Sequence, residues 1–337
     1  MTQMVLRDEW LGQTREEILD PDRRIIDAHF HFFDESEVHP HYRLQDLVRD
    51  ARGHRVEQAI FMQCREHFRP DGPPHLQPVG ETEWVADLAA EAVRETREGV
   101  RIGALIVDAR LYNGARARET LEAHLEASPL VRGVREMGLW DASPEVDSVE
   151  EATGPNLYGE SRFREGFAEL AKLGLVFDAH QYHTQLSSVV DLARAFPDTT
   201  IVVNHLGSPL GNGPYAGRQD EIFPEWQRGV SEVASCPNTV MKLGGLAMPW
   251  CGFGLDEAGE PPTSDRFVAT FHRYYDHALQ TFGPARCMFE SNFPIDRASV
   301  SYEVLWNAFK KIAAGYSEDE RESLFRGTAI RVYRLER

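Results

Sequence analysis

Short runs of β-branched and apolar residues recur along the chain, and the segments between them carry apolar positions at three- and four-residue spacing. Eight runs stand out: 25–33 (IIDAHFHFF), 56–64 (VEQAIFMQC), 100–109 (VRIGALIVDA), 131–137 (VRGVREM), 175–183 (LVFDAHQYH), 199–207 (TTIVVNHLG), 238–245 (NTVMKLGG) and 286–294 (RCMFESNFP). Strand-like runs alternating with helix-like segments predict parallel βαβ units. Eight of them, with no Gly-rich linker or break in composition, favour a closed (β/α)8 TIM barrel over an open sheet, whose strand count has no reason to stop at eight.

The connecting segments fit that reading. Segments 81–99, 114–128, 161–174 and 301–315 each show helical spacing, so each can cover one stretch of barrel wall. Longer irregular pieces at 65–80, 138–160, 208–220 and 247–263 mostly follow strands, where a barrel keeps its functional loops. The last of them leads the stretch MPWCGFGLDEAGEPPTSD and is a candidate lid. Residues 1–23 read as a polar, helical extension outside a single barrel domain spanning 24–337.

Composition narrows the class. With 42% hydrophobic and 27% charged residues, the chain is neither disordered nor collagenous. No apolar run approaches the ~18 residues of a membrane span, and the N-terminus lacks the apolar stretch of a secretory signal, so a cytoplasmic location is expected. A net charge of -18 repels phosphate backbones and anionic lipid. The expected partner is therefore a small-molecule substrate, without nucleic acid or membrane, and a homo-oligomer is compatible with a barrel of this size. Cys64, Cys236, Cys251 and Cys287 show no paired spacing and read as reduced, mostly buried residues.

The chemistry gathers at strand ends. His29 and His31 close the first run, and their two-residue spacing points both imidazoles to one side, where they can share a divalent metal. His180 and His183 close the fifth run and His205 the sixth, so three separate strands deliver imidazole to the same face. That convergence matters more than an isolated H-x-H, which matches by chance about as often as it marks a ligand pair. The eighth run supplies Glu290, Asn292 and Asp296, with Glu290 and Asn292 on one side if the strand continues. Arg135 and Glu136, with Trp140 and Asp141 beyond, sit at the fourth strand end. Arg135 offers a fork for a carboxylate or carbonyl, or an ion pair supporting the rim. Lys242 on the seventh strand carries the same two readings, substrate contact or structural cation.

These motifs resemble the amidohydrolase-related (amidohydrolase 2) proteins, metal-dependent hydrolases of barrel fold that include sugar lactonases. The resemblance runs from about residue 24 to the C-terminus through DAHFHFFD, GVREMGLWD, the Y-H-x-Q of Tyr182 to Gln185, NHLGSPLG, KLGGLAM and CMFESNFPIDR. It implies that His29, His31, a strand-five histidine and His205 line the site, and that strand eight provides the acid or base. The branch pattern points to His183, giving His29, His31 and His183 as metal ligands, whereas alternation from Asp178 points to His180. Two departures stand out. Asn292 replaces an Asp found in many relatives, and an amide cannot take a proton from water, which moves the base to Glu290. The fourth run has no lysine to bridge two ions, so one divalent ion, with zinc as the expected metal, or none, is anticipated.

The resulting expectation is a hydrolase opening a lactone or similar cyclic ester or amide with activated water. Glu290, His183, His205 and Asn292 are its candidate catalytic residues, and Arg135, Trp140, His180 and Lys242 its candidate substrate contacts. A metal-dependent non-oxidative decarboxylase of the same family is the alternative, and a non-catalytic binding barrel is a third reading.

Overall fold

The computed structural model describes residues 7–34, 36, 39, 41–95 and 99–336. Its one sheet holds eight parallel strands in chain order: β1 (Arg24–Phe30), β2 (Arg55–Met62), β3 (Arg101–Val107), β4 (Val131–Met137), β5 (Val176–His180), β6 (Ile201–Val203), β7 (Thr239–Leu243) and β8 (Cys287–Phe289). Helices Leu44–Asp50, Val79–Glu95, Ala117–Ala127, Ser161–Leu173, Leu186–Ala195, Gln219–Ala234 and Ser264–Phe282 fill the crossovers, and Tyr302–Ile312 follows β8. The sheet closes just past β8. There Phe30 bridges Phe293, the Asn292 N–H donates to the His29 carbonyl at 2.9 Å, and the His31 N–H donates to the Phe293 carbonyl at 2.8 Å. The eight-strand pattern thus folds into a single-domain (β/α)8 barrel.

Side-chain alternation sorts two apolar layers. Ile25, Phe61, Leu105, Val134, Phe177, Met241 and Phe289 point outward into the helices. Ile26, Ile60, Ala104, Val176, Val202, Val240 and Met288 point inward and pack against Ala329, Val332, Tyr333 and Leu335 of the C-terminal segment, which fills the lower end of the barrel. One step further along the inward faces, the aliphatic layer gives way to polar side chains: Asp178 and His180 on β5, Lys242 on β7 and Glu290 after β8. Serine and threonine caps start the helices after the last two long loops. Thr263 Oγ1 accepts from the Arg266 N–H, and Ser301 Oγ from the Val304 N–H.

Strands β6 and β8 are shorter than the runs 199–207 and 286–294. The chain turns left-handed soon after each, at His205 (φ 53°), Leu206 (φ 52°), Ser208 (φ 45°) and Asn292 (φ 54°). Non-glycine residues held in this region cost conformational energy and cluster at functional sites.

Residues 1–6 of the predicted extension and 96–98 of the segment 81–99 lie outside the described residues. In the rest of the extension only Asp8–Leu11 is helical. With no apolar stripe to bury, residues 12–23 have no reason to continue as a helix, and polar contacts hold them instead. Thr14 donates to the Pro261 carbonyl at 3.0 Å, and the Glu16 carboxylate accepts from the Ser264 N–H at 2.7 Å and the Asn307 amide at 3.1 Å. Among the described residues no helix is long and apolar enough to cross a membrane.

Candidate active site

The polar inward layer is sealed: His29, His31, Arg135, Asp178, His180, His205, Lys242 and Glu290 are all buried. His29 stands at its centre, with its ring centroid 4.8 Å from that of His31 and 4.5 Å from that of His205. His180 packs edge-on against His205 at 4.8 Å. Two backbone features make room. A Cβ on Gly244 would lie 2.5 Å from Glu290 Cγ, and one on Gly245, itself at φ +73°, would lie 2.4 Å from His205 Nδ1. The glycine pair of KLGGLAM therefore lets β7 close on the site.

Glu290 links two of the imidazoles. Its Oε1 accepts from His205 Nδ1 at 2.8 Å and from the His205 N–H at 3.0 Å. Its Oε2 lies 2.9 Å from His29 Nδ1, off the line a hydrogen bond requires, and has no other partner. The Nε2 atoms of His29 and His31 are 3.0 Å apart, and His31 Nδ1 meets the Met62 carbonyl at 2.9 Å. Arg135 approaches His29 Nε2 with Nη1 at 3.3 Å and donates from Nη2 to the Gln63 carbonyl, leaving its buried Nε without an acceptor. Lys242 Nζ pairs with Asp178 at 2.8 Å and stands 3.5 Å from His29 Nδ1. Behind β1, Asp27 accepts from the Ser291 N–H at 2.8 Å and the Tyr302 hydroxyl at 3.0 Å, tying the His29 and Glu290 strand ends together.

Burial sets the charges. It pushes the imidazoles of His29, His31, His180 and His205 well below the ordinary histidine range, with neighbouring cationic groups adding to the effect, so all four rings are neutral near pH 7. It also lifts Glu290 to about 7 against the pull of Lys242, which places this carboxyl where it exchanges a proton near neutrality. Neutral imidazole and carboxylate are the donors a divalent ion requires. His29, His205 and Glu290 offer three such atoms within 4.8 Å of one another, and this set fits one divalent ion.

The structure places the three members of the metal set His29, His31 and His183 differently. His183 starts a short turn after β5, where its Nδ1 accepts from the Leu210 N–H at 3.2 Å and its ring packs on Tyr215 at 5.8 Å, so it faces the loop after β6. His180 is the strand-five histidine at the cluster, because β5 keeps its alternation through His180, and both its ring nitrogens are buried without partners. His31 has its Nε2 against His29 while Arg135 stands over the pair, so His205 and Glu290 complete the three-donor set. Asn292 is also displaced. The left-handed turn sends its amide to Asp296 at 2.9 Å instead of alongside Glu290. Lys242 lies inside the barrel, bound to Asp178, and Trp140 is half-buried in the loop after β4 with its backbone N–H donating to Gln185 Oε1 at 3.1 Å. Asp178 and Tyr333 are functional-site neighbours that the sequence reading gave no role. Alternation with His180 could have flagged Asp178, but no local pattern marks Tyr333.

Comparison with known proteins fits this geometry. The amidohydrolase family model (Amidohydro_2) matches residues 26–335. The chain belongs to the amidohydrolase family. It is 29% identical over 334 residues to the uncharacterized protein y4mH of Sinorhizobium fredii, covering 93% of this chain and 99% of the relative. It is also 29% identical over 177 residues to an L-fucono-1,5-lactonase of Burkholderia multivorans, covering 52% of this chain and 57% of that enzyme. Among solved structures, an amidohydrolase from Burkholderia multivorans with bound zinc superposes with a TM-score of 0.71 at 22% identity, covering 93% of this chain and 100% of that one.

Proposed function

We propose that this amidohydrolase opens a lactone or comparable cyclic ester by attack of an activated water. The observation that carries the reading is Glu290, held by His205 on one oxygen and presenting the other, unpartnered, at the centre of a sealed group of neutral imidazoles. The partial match to an L-fucono-1,5-lactonase supports a lactone as substrate class, and the zinc found in the structural neighbour supports a divalent ion at His29, His205 and one oxygen of Glu290. Such an ion, when bound, polarises a carbonyl and makes water more acidic.

The chain's own groups then divide the work. The Glu290 carboxylate takes the proton of the attacking water. Arg135 is the charged donor for the oxygen that gains negative charge as the tetrahedral centre forms, through the guanidinium N–H that has no protein acceptor. His180, with both ring nitrogens unpartnered, is placed to hold a substrate hydroxyl or the ring oxygen as it leaves. Burial of the site excludes competing water and strengthens each of these interactions.

Metal analysis of the purified protein, combined with a pH-indicator screen over sugar lactones with and without added zinc, tests the reading. The expected result is proton release from at least one lactone, together with about one divalent ion per chain. Carbon dioxide release from an aromatic acid without any lactone opening would move the assignment to a decarboxylase. Neither product with either class would leave a binding barrel.

A further inference from the structure

We propose that Tyr333 and Asp178 are positioning residues of this site, acting on His29 and His205 through Lys242 and Asn204; their effect on turnover rests on the hydrolase reading, whereas their effect on the imidazoles does not. The starting point is a polar cluster that the reaction does not directly use. Lys242 is fully buried on the inward face of β7, and an ammonium in that position needs a carboxylate. Asp178, opposite on β5, meets it at 2.8 Å. The same carboxylate accepts from the Asn204 amide at 2.8 Å and from the Tyr333 hydroxyl at 3.0 and 3.1 Å, so four close contacts fix its orientation.

Both ends of this cluster touch the catalytic layer. Lys242 Nζ stands 3.5 Å from His29 Nδ1, on the ring edge that also faces Glu290. Asn204 immediately precedes His205, whose left-handed backbone aims its ring and N–H at the Glu290 carboxylate. A shift of Asp178 would therefore be felt at both imidazoles.

Tyr333 is the informative member. It comes from the C-terminal helix Thr328–Tyr333, and its ring belongs to the apolar layer that fills the lower barrel, beside Val176, Val202, Val240 and Met288. Phenylalanine would serve that packing equally well, and burying a hydroxyl is unfavourable unless it finds an acceptor. The hydroxyl reaches past the aliphatic layer to Asp178, and Lys242 Nζ lies 5.5 Å from the ring centroid, so this one side chain contacts both members of the ion pair. The C-terminal helix thus plugs the barrel and also braces the floor of the active site.

The test uses the full-length protein with 15N-labelled histidine, whose long-range imidazole spectra report the tautomer and hydrogen bonding of each ring without any metal or substrate. Tyr333→Phe, and the charge-balanced pair Lys242→Met with Asp178→Asn, should each shift the His29 and His205 signals. The signals of His124, buried elsewhere against Thr82 and the Asp108 carbonyl, should stay in place. Val332→Ala, which thins the same plug without touching the hydroxyl, should lower the melting temperature and leave the His29 and His205 signals unchanged. If the lactone screen finds a substrate, Tyr333→Phe should lower kcat on the order of tenfold, less than the ~10²-fold that misplacing a group can cost, with KM unchanged. His29 and His205 signals that do not move in Tyr333→Phe, or that move equally in Val332→Ala, would overturn the proposal whether or not any lactone is opened.

Discussion

Glu290→Gln is expected to lower lactone hydrolysis by ~10²- to 10⁴-fold, the range for loss of a positioned general base. The amide retains an acceptor for His205, so circular dichroism should show a folded protein, and the loss should fall on kcat more than on KM. The wild-type pH profile gives a second signature. In the metal-free protein burial raises this carboxyl to about 7, and the base works only when deprotonated, so kcat/KM measured without added metal should climb as pH rises through about 7 and level off above it. That limb should disappear from the residual activity of the variant. Full activity in Glu290→Gln would remove the proposed base and with it the hydrolytic mechanism.

Arg135→Met should separate activity from stability. Among the described residues no carboxylate lies within ion-pair distance of this guanidinium, although it is buried, and its Nε has no acceptor. A buried charge without a carboxylate partner carries an uncompensated desolvation cost, and an apolar side chain of similar length removes it, so thermal denaturation should give an equal or higher melting temperature. Removing a donor to a developing oxyanion costs ~10²–10³ in kcat, and proton-release kinetics should show a loss of that size. A sharp drop in melting temperature with kcat unchanged would instead make Arg135 a strut between β4 and the Gln63 carbonyl.

Much of this site was legible in the chain because its signals are local. The inward direction of His180 follows from alternation along β5, which persists through that residue. His183 stands apart from the cluster because the chain leaves the strand after His180 and turns toward Leu210, where family pattern carries no geometric information. Asn292 is displaced for a similar reason, since the two-residue rule assumes an extended strand and the backbone there has φ 54°. Glu290 was reached by elimination of Asn292, and its contacts with His29 and His205 support the role proposed for it.

By itself the sequence determined the eight βα units, their parallel order, and the delivery of imidazoles and a carboxylate to one end of a barrel, because periods of two and 3.6 residues are written into neighbouring positions. Tertiary structure alone decided which of those groups meet. Glu290 finds His205 across 85 positions, and Tyr333 finds Asp178 across 155. Such pairings follow from barrel closure and from the C-terminal helix filling the space beneath, and no window of the chain contains both partners.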